Sequence, residues 1–364
     1  MARLIYVEKQ RDELRKTLLR SFQSGSINFL VGSGASQPAI STVGNIEREI
    51  DQLIKESRNS EAQKKTYSFL EGIQIPNNAL IRGEPLTKGA NETPDGYKKR
   101  NDAFELTKTN YRVLLGNIER ILIERKTSLL SRQASIFTTN YDLFIEQASK
   151  TFPVLRLNDG FARNPCLSNH FSFSPQGFFN TVSNRGNLYD YEVEIPCVNL
   201  IKIHGSLSWK KVEREIRFHV ESKVLLAADA EDAAIEEFNQ QYALILPQQN
   251  KHRETLLDRV HYDLLRIYSN ELDREGTLLI SLGFSFDDEH IFEITKRALK
   301  NPTLLVLISA FDQAAVEAYQ LKFDGYNNVI ILAPEEGKTF SLAQFNSLIK
   351  EMFEVPLGVK DERE

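Results

Sequence analysis

Seven apolar, β-branched runs recur along this chain: INFLV (27–31), ASIFT (134–138), PVLRL (153–157), VNLIKI (198–203), TLLISL (277–282), TLLVLI (303–308) and NVIIL (328–332). A strand with one wet face alternates apolar and polar residues. These runs stay apolar through most of their length, which suits strands buried on both faces of a parallel sheet. Segments of helical period separate several of them. Residues 111–122 bring Tyr111, Leu114, Leu115, Ile118, Ile121 and Leu122 to one face, and residues 256–268 do the same with Leu257, Val260, Leu264 and Ile267. Further helices are expected near 289–299, 313–322 and 341–353. The alternation predicts an α/β fold, a doubly wound, Rossmann-like, mostly parallel sheet.

Two stretches interrupt the pattern. Residues 37–133 read as a mostly helical insertion between the first two strands, with a polar, Gly- and Pro-containing loop at 76–97 between its helices. Residues 160–196 are aromatic and polar with turn residues throughout, and read as an irregular excursion with a hairpin near the cleft. The α/β domain proper is then 1–36 with 134–364. The interruptions could form a lid, a partner surface or structured loops.

Composition removes several functions. At 41% hydrophobic and 26% charged, the 364 residues can bury a sizeable core. A net charge of -5 gives no reason to expect nucleic-acid binding, and Lys98, Lys99 and Arg100 read as solvated surface. The N-terminus is charged from residue 3 and lacks an apolar core, so neither a signal peptide nor a membrane span is expected, and the cytoplasm is the expected location. Cys166 and Cys197 are the two cysteines of the sequence. A disulfide framework is not expected, two cysteines cannot build a four-cysteine zinc site within one chain, and no metal ligands are assigned.

In a doubly wound sheet the ligand sits outside the carboxyl ends of the strands. The first run ends in Gly32, Ser33, Gly34, Ala35 and Ser36, followed by an expected helix. Such a turn can bring peptide N–H groups and a helix N-terminus to a phosphate, or can simply be tight. The second run ends in TTNYD (138–142), the fourth in His204, Gly205 and Ser206, and the fifth in GFSFDDEH (283–290). Each has a plain structural role available. Asp142 or Thr139 could cap a helix beginning near Leu143, and His204 could be a satisfied turn histidine. Asp287, Asp288 and Glu289 could cap and charge a helix start. Their gathering at one edge of one sheet argues for a site. His170, His219, His252 and His261 connect to no chemistry at this level, and exposed aromatics such as Phe178 and Phe179 offer a partner surface.

GSGAS, TTNYD, HGS and GFSF, in this order and at strand ends, resemble the sirtuin-like superfamily over roughly residues 25–335. Its members bind NAD+ and break the nicotinamide–ribose bond. The G-A-G-x-S loop of sirtuin deacylases corresponds to Gly32–Ser36, the Q-N-I-D segment to Thr139, Asn140, Tyr141 and Asp142, and the catalytic H-G to His204 and Gly205. TTNYD and GFSFDDEHI are most similar to the bacterial NAD+-hydrolysing effectors of antiphage defence. The deacylases' four zinc cysteines and G-I-P-D-F-R type segment are missing, and an adenine-contacting asparagine is replaced by Ser309. The resemblance implies an NAD+ glycohydrolase that uses NAD+ as substrate, without zinc. Alternatives are an NAD+-dependent deacylase or ADP-ribosyltransferase, and a non-catalytic subunit sensing NAD+ or ADP-ribose. A homo-oligomer and a HerA-like hexameric ATPase partner are further implications.

Breaking this bond needs little acid help, because nicotinamide leaves as a neutral base. The barrier lies in the oxocarbenium-like ribose and in placing water. Asn140 suits a ribose hydroxyl or the attacking water, and His204 suits the departing proton. Asp142 is expected to orient the carboxamide or the pocket. Gly32 and Gly34 are expected to admit the diphosphate, with Ser33 or Ser36 donating to it. Gly283 and Ser285 are expected on the adenosine side.

Overall fold

The computed structural model describes residues 2–41, 46–89, 91–125, 129–163, 171–186, 192–213, 215–227, 230–240, 242–244 and 255–354; Cys166, His170 and His252 lie outside them. The chain opens with a strand that the apolar runs do not announce, β1 (Arg3–Tyr6), and helix α1 (Arg11–Ser24). The run at 27–31 is therefore β2 (Ile27–Val31), and the helical segment follows the second strand of the chain. It holds α2 (Ile46–Lys55), α3 (Asn59–Arg82) and α4 (Pro94–Ile123). The loop expected at 76–97 is shorter, because Pro76 lies inside α3, which continues until Gly83 stops it in the left-handed region (φ 72). Pro94 begins α4 rather than breaking it. In the first turn a missing N–H costs nothing, and the Thr93 hydroxyl caps the helix by accepting from the Gly96 amide at 3.1 Å.

Next come β3 (Gln133–Thr138), α5 (Phe144–Ser149), β4 (Arg156–Asn158), and the antiparallel pair β5 (Ser183–Arg185) and β6 (Glu192–Glu194). Then follow β7 (Cys197–Lys202), β8 (Gly205–Val212), β9 (Glu215–Phe218), α6 (Asp232–Gln240), β10 (Tyr242–Leu244) and α7 (Thr255–Asp273). The last third alternates as expected: β11 (Leu278–Leu282), α8 (Glu289–Ala298), β12 (Leu305–Ser309), α9 (Gln313–Lys322), β13 (Val329–Ala333) and α10 (Leu342–Glu354).

Eight strands make one sheet in the order β1-β13-β12-β11-β2-β3-β7-β4, with every neighbouring pair parallel. Side chains alternate between two cores. Ile27, Phe29 and Val31 join Leu14, Leu18 and Phe22 of α1 and Leu115 and Ile118 of α4. Leu30 instead meets Leu264 and Tyr268 of α7, Ile291 of α8 and Val316 of α9. Helices on both faces explain why β2, β7, β11 and β13 contain no exposed residue.

A small antiparallel sheet, β10-β8-β9, packs an aromatic cluster in which Phe161 and Phe173 meet Trp209. Phe178 belongs to this interior and is only 4% exposed, contrary to the expectation of a surface aromatic, while Phe179 is 62% exposed. From β2 the chain winds outward through β3 and β7, and from β11 it winds the other way through β12 and β13. The adjacent pair β2 and β11 is the switch point, where the two sets of loops part and leave a crevice. Among the described residues, no helix is long and apolar enough to cross a membrane.

Candidate active site

A cavity of about 530 Å³ opens at that switch point. It is lined by the chain after β2 (Ser33 to Ser36), after β3 (Thr139, Asn140, Asp142), after β7 (His204), after β11 (Gly283, Ser285, Asp287, Asp288) and by Ser309 at the end of β12. Phe69 and Ile73 of α3, with Phe311 and Phe340, supply apolar walls. Gly32 and Gly205 of the sequence candidates are absent from the lining. No described residue of 160–196 reaches the cavity either; that segment packs around Trp209 instead.

The glycines lie where the β2 and β11 loops meet. A Cβ on Gly32 would stand 2.4 Å from the Gly283 carbonyl oxygen, and one on Gly34 would stand 3.0 Å from Gly283 Cα. Gly283 has φ 61, and its Cβ would lie 2.3 Å from the Ala35 nitrogen. The missing side chains thus let the β2 and β11 loops touch each other. The Gly32 amide donates to the Leu282 carbonyl and the Gly34 amide to the Gly283 carbonyl, each at 3.0 Å, and the Ala35 amide donates to the Gly32 carbonyl. Those three donors are not free for a phosphate. The expected helix is also displaced: Ser33–Ser36 form one turn of 3-10 helix, and α2 begins only at Ile46.

Asn140 is the centre of a buried network. Its Nδ2 donates to the Gly32 carbonyl at 3.0 Å and to Ser36 Oγ at 3.1 Å. A carbonyl only accepts, so the amide group is turned with its nitrogen toward β2, and among the described residues nothing donates to its Oδ1. Ser36 gives its single proton to Asp142 Oδ2 at 2.6 Å, and so accepts from the Tyr111 hydroxyl at 2.8 Å. The Ser36 proton is therefore taken by Asp142, while Ser36 and Ser33 both line the cavity. Burial, with the Asp142 charge nearby, pushes the Tyr111 phenol well above its usual value, keeping it a donor.

Asp142 does not cap the next helix. The N-cap position of α5 is Leu143, with no side-chain cap, and Asp142 Oδ1 lies a long 3.4 Å from the Phe144 amide. The Asp142 carboxyl is raised above the ordinary range by burial, opposed by Lys202 and the Ser36 hydroxyl. Lys202, 3% exposed at the end of β7, donates to the Asp142 carbonyl, to Ser206 Oγ at 3.2 Å and to Glu146 Oε1 at 2.8 Å. Burial likewise raises Glu146.

His204 stands at the turn from β7 to β8, where Gly205 takes φ 88. Its Nε2 lies 2.9 Å from Asp288 Oδ2, while Asp288 Oδ1 accepts from the Ile291 amide at 3.0 Å and caps α8. Burial works to raise the Asp288 carboxyl, but His204, the Ile291 amide and His290 outweigh it and hold it at about 2. On α7, His261 donates through Nδ1 to the Ile203 carbonyl at 3.1 Å, its ring 5.9 Å from that of His204. Burial lowers His261 below the ordinary imidazole value, opposed by its bond to the Ile203 carbonyl.

Sequence reasoning missed Tyr111, Lys202, Glu146, the pairing of Asp288 with His204, and His261. One signal was present: a lysine inside the apolar LIKI run must find a buried partner. Among the described residues, no group of three or more His, Cys, Asp or Glu side chains could hold a metal ion.

A family model described as a SIR2-like domain matches residues 134–323, more than half of the chain. The chain belongs to the SIR2-like domain family. SIR2-like domains commonly act on NAD+ as a substrate. The matched span runs from β3 past α9 and so carries Asn140, Asp142, His204, Asp288 and Ser309, while the glycine loop after β2 precedes it. No curated protein matches the chain.

Proposed function

We propose that this SIR2-like protein is an NAD+ glycohydrolase that releases nicotinamide and ADP-ribose. The observation that carries the reading is the fixed amide of Asn140, with its Oδ1 unclaimed among the described residues in a cavity shared with His204. In the reaction the bond between ribose C1′ and the nicotinamide nitrogen breaks, and nicotinamide leaves with the electron pair as a neutral base. A water oxygen bonds to C1′. Asn140 Oδ1 accepts from that water and positions it without adding charge. His204 takes the proton through Nδ1 and passes it to solvent, so NAD+ and water give nicotinamide, ADP-ribose and one proton. Ser33 and Ser285 are the polar contacts for the diphosphate and adenosine side, with Ser309 and Phe311 beside the base.

The defence role rests on resemblance alone: an effector that depletes NAD+ in the cytoplasm, as a homo-oligomer working with a HerA-like hexameric ATPase. Incubating the purified protein with NAD+, with and without an acetyl-lysine peptide, tests the chemistry. Free nicotinamide without peptide supports the hydrolase. Release only with the acetylated peptide indicates a deacylase. Binding without turnover indicates a sensing subunit.

A further inference from the structure

The two oxygens of Asp288 do different work. Oδ1 accepts from the Ile291 amide at 3.0 Å and fixes the carboxylate to the start of α8; Oδ2 faces His204 Nε2 at 2.9 Å. Rotating the carboxylate to relax one bond breaks the other. The loop that carries it is braced by α9: Lys322 Nζ donates to the Ser285 carbonyl at 2.8 Å, the Phe286 carbonyl at 3.1 Å and Asp287 Oδ1 at 2.6 Å. From the opposite side, His261 holds the carbonyl of Ile203, the residue before His204. The imidazole is thus gripped from α8 at one ring nitrogen, and among the described residues nothing bonds the other.

We infer that Asp288 is a positioning residue that holds His204 in the Nε2–H tautomer and leaves Nδ1 as the proton acceptor in the cavity. An ionised carboxylate can only accept, so the proton between the two groups sits on Nε2. The lone pair of the neutral ring is then at Nδ1, fixed in direction before any substrate arrives. The functional consequence rests on the glycohydrolase reading above; the tautomer does not.

Helix capping alone would explain Asp288 as well, so the test uses residues that cap. Ser and Asn are good N-caps, but a serine hydroxyl does not reach His204, and asparagine brings no charge. Asp288→Ser and Asp288→Asn are expected to fold, because both residues cap α8, with thermal midpoints below wild type because the carboxylate facing His204 is gone. In Asp288→Ser, kcat for nicotinamide release is expected to fall about 10- to 100-fold while KM changes by less than about threefold. Histidine ¹⁵N spectra of the full-length protein at about pH 8, well above the ordinary imidazole range, read the tautomer directly. His204 is assigned by the signal lost in His204→Gln. Wild type is expected to show Nε2–H, and Asp288→Ser a mixture. An Nδ1–H tautomer in wild type, an unchanged His204 signal in Asp288→Ser, or wild-type kcat despite a changed tautomer each overturns the inference. If wild type releases no nicotinamide, the glycohydrolase reading fails, and the spectra still decide the tautomer.

Discussion

Gly283→Ala is the sharpest probe of how the cavity wall is built. The new Cβ would lie 2.3 Å from the Ala35 nitrogen and 2.6 Å from the Gly34 carbonyl carbon. Both are backbone atoms, so no rotamer change relieves the overlap and the β2 and β11 loops must separate. Holding a non-glycine residue at φ 61 costs about 1–2 kcal/mol. Losing the two amide–carbonyl bonds between the loops costs about 1 kcal/mol each. The sum is about 3–4 kcal/mol, in the range that marks a specific structural fault. Gly72→Ala is the control: nothing lies within 4 Å of its Cβ, and it sits exposed inside α3. There the substitution is expected to stabilise by about 0.5–1 kcal/mol. Urea-unfolding midpoints followed by fluorescence separate the two. NAD+ affinity should fall in Gly283→Ala, because Ser33 and Ser285 lie on the loops that part. A Gly283→Ala midpoint at or above wild type refutes the account of interlocked loops.

In Asn140→Ala, nicotinamide release is expected to fall by about two to four orders of magnitude, and chemical denaturation should show about 1 kcal/mol lost with the Asn140 bonds to the Gly32 carbonyl and Ser36, the Gly32 carbonyl keeping its bond from the Ala35 amide; near-normal turnover contradicts the assignment. Lys202→Met strips the cation from two buried carboxylates and should cost about 3–5 kcal/mol, part of it regained by adding Glu146→Gln, as thermal melts will show. Asp288 has a depressed native pKa of about 2, so its stabilisation is complete above its unfolded value near 4 and is lost as pH falls through about 2. Wild type should therefore lose about 2 kcal/mol more than Asp288→Asn on titration from about pH 4 to 2, and parallel stability curves would deny the ion pair. Light scattering is expected to show a homo-oligomer whose NAD+ loss quickens with a HerA-like ATPase; a 41.6 kDa monomer, active regardless of partner, removes that proposal.

The sheet was legible because its strands are buried on both faces, and burial on both faces leaves continuous apolar runs. β1 escaped notice because RLIY is short and lies at the edge of the sheet, with Arg3 exposed. Pro76 misled because a proline removes one hydrogen bond, and a helix as long as α3 tolerates that when tertiary packing buries its C-terminal half. At the site, the strand-end rule brought Asn140, Asp142, His204, Gly283, Ser285 and Ser309 to one cavity. It could not tell which of them face the ligand and which face each other. That distinction depends on pairs far apart in sequence: Ser36 with Asp142, Gly34 with Gly283, His204 with Asp288.

Those long-range pairs share a logic. Each residue with a group to spare in the cavity is held by one that has none. Gly32 and Ser36 take the Asn140 nitrogen, which leaves its oxygen without a donor among the described residues. Ser36 can accept from Asn140 because Asp142 takes its proton, and Asp142 can stay buried because Lys202 stands behind it. The glycines complete the arrangement by letting the two loops meet through backbone alone, which sets the Gly32 carbonyl where Asn140 needs it. A polar group fixed this way spends no free energy on reorganising when substrate binds, which is what positioning a water against a short-lived cationic ribose requires. The same chain of dependence means that damage behind the cavity, at Tyr111 or Lys202, should reach turnover through the orientation of Asn140 without touching any group that meets NAD+.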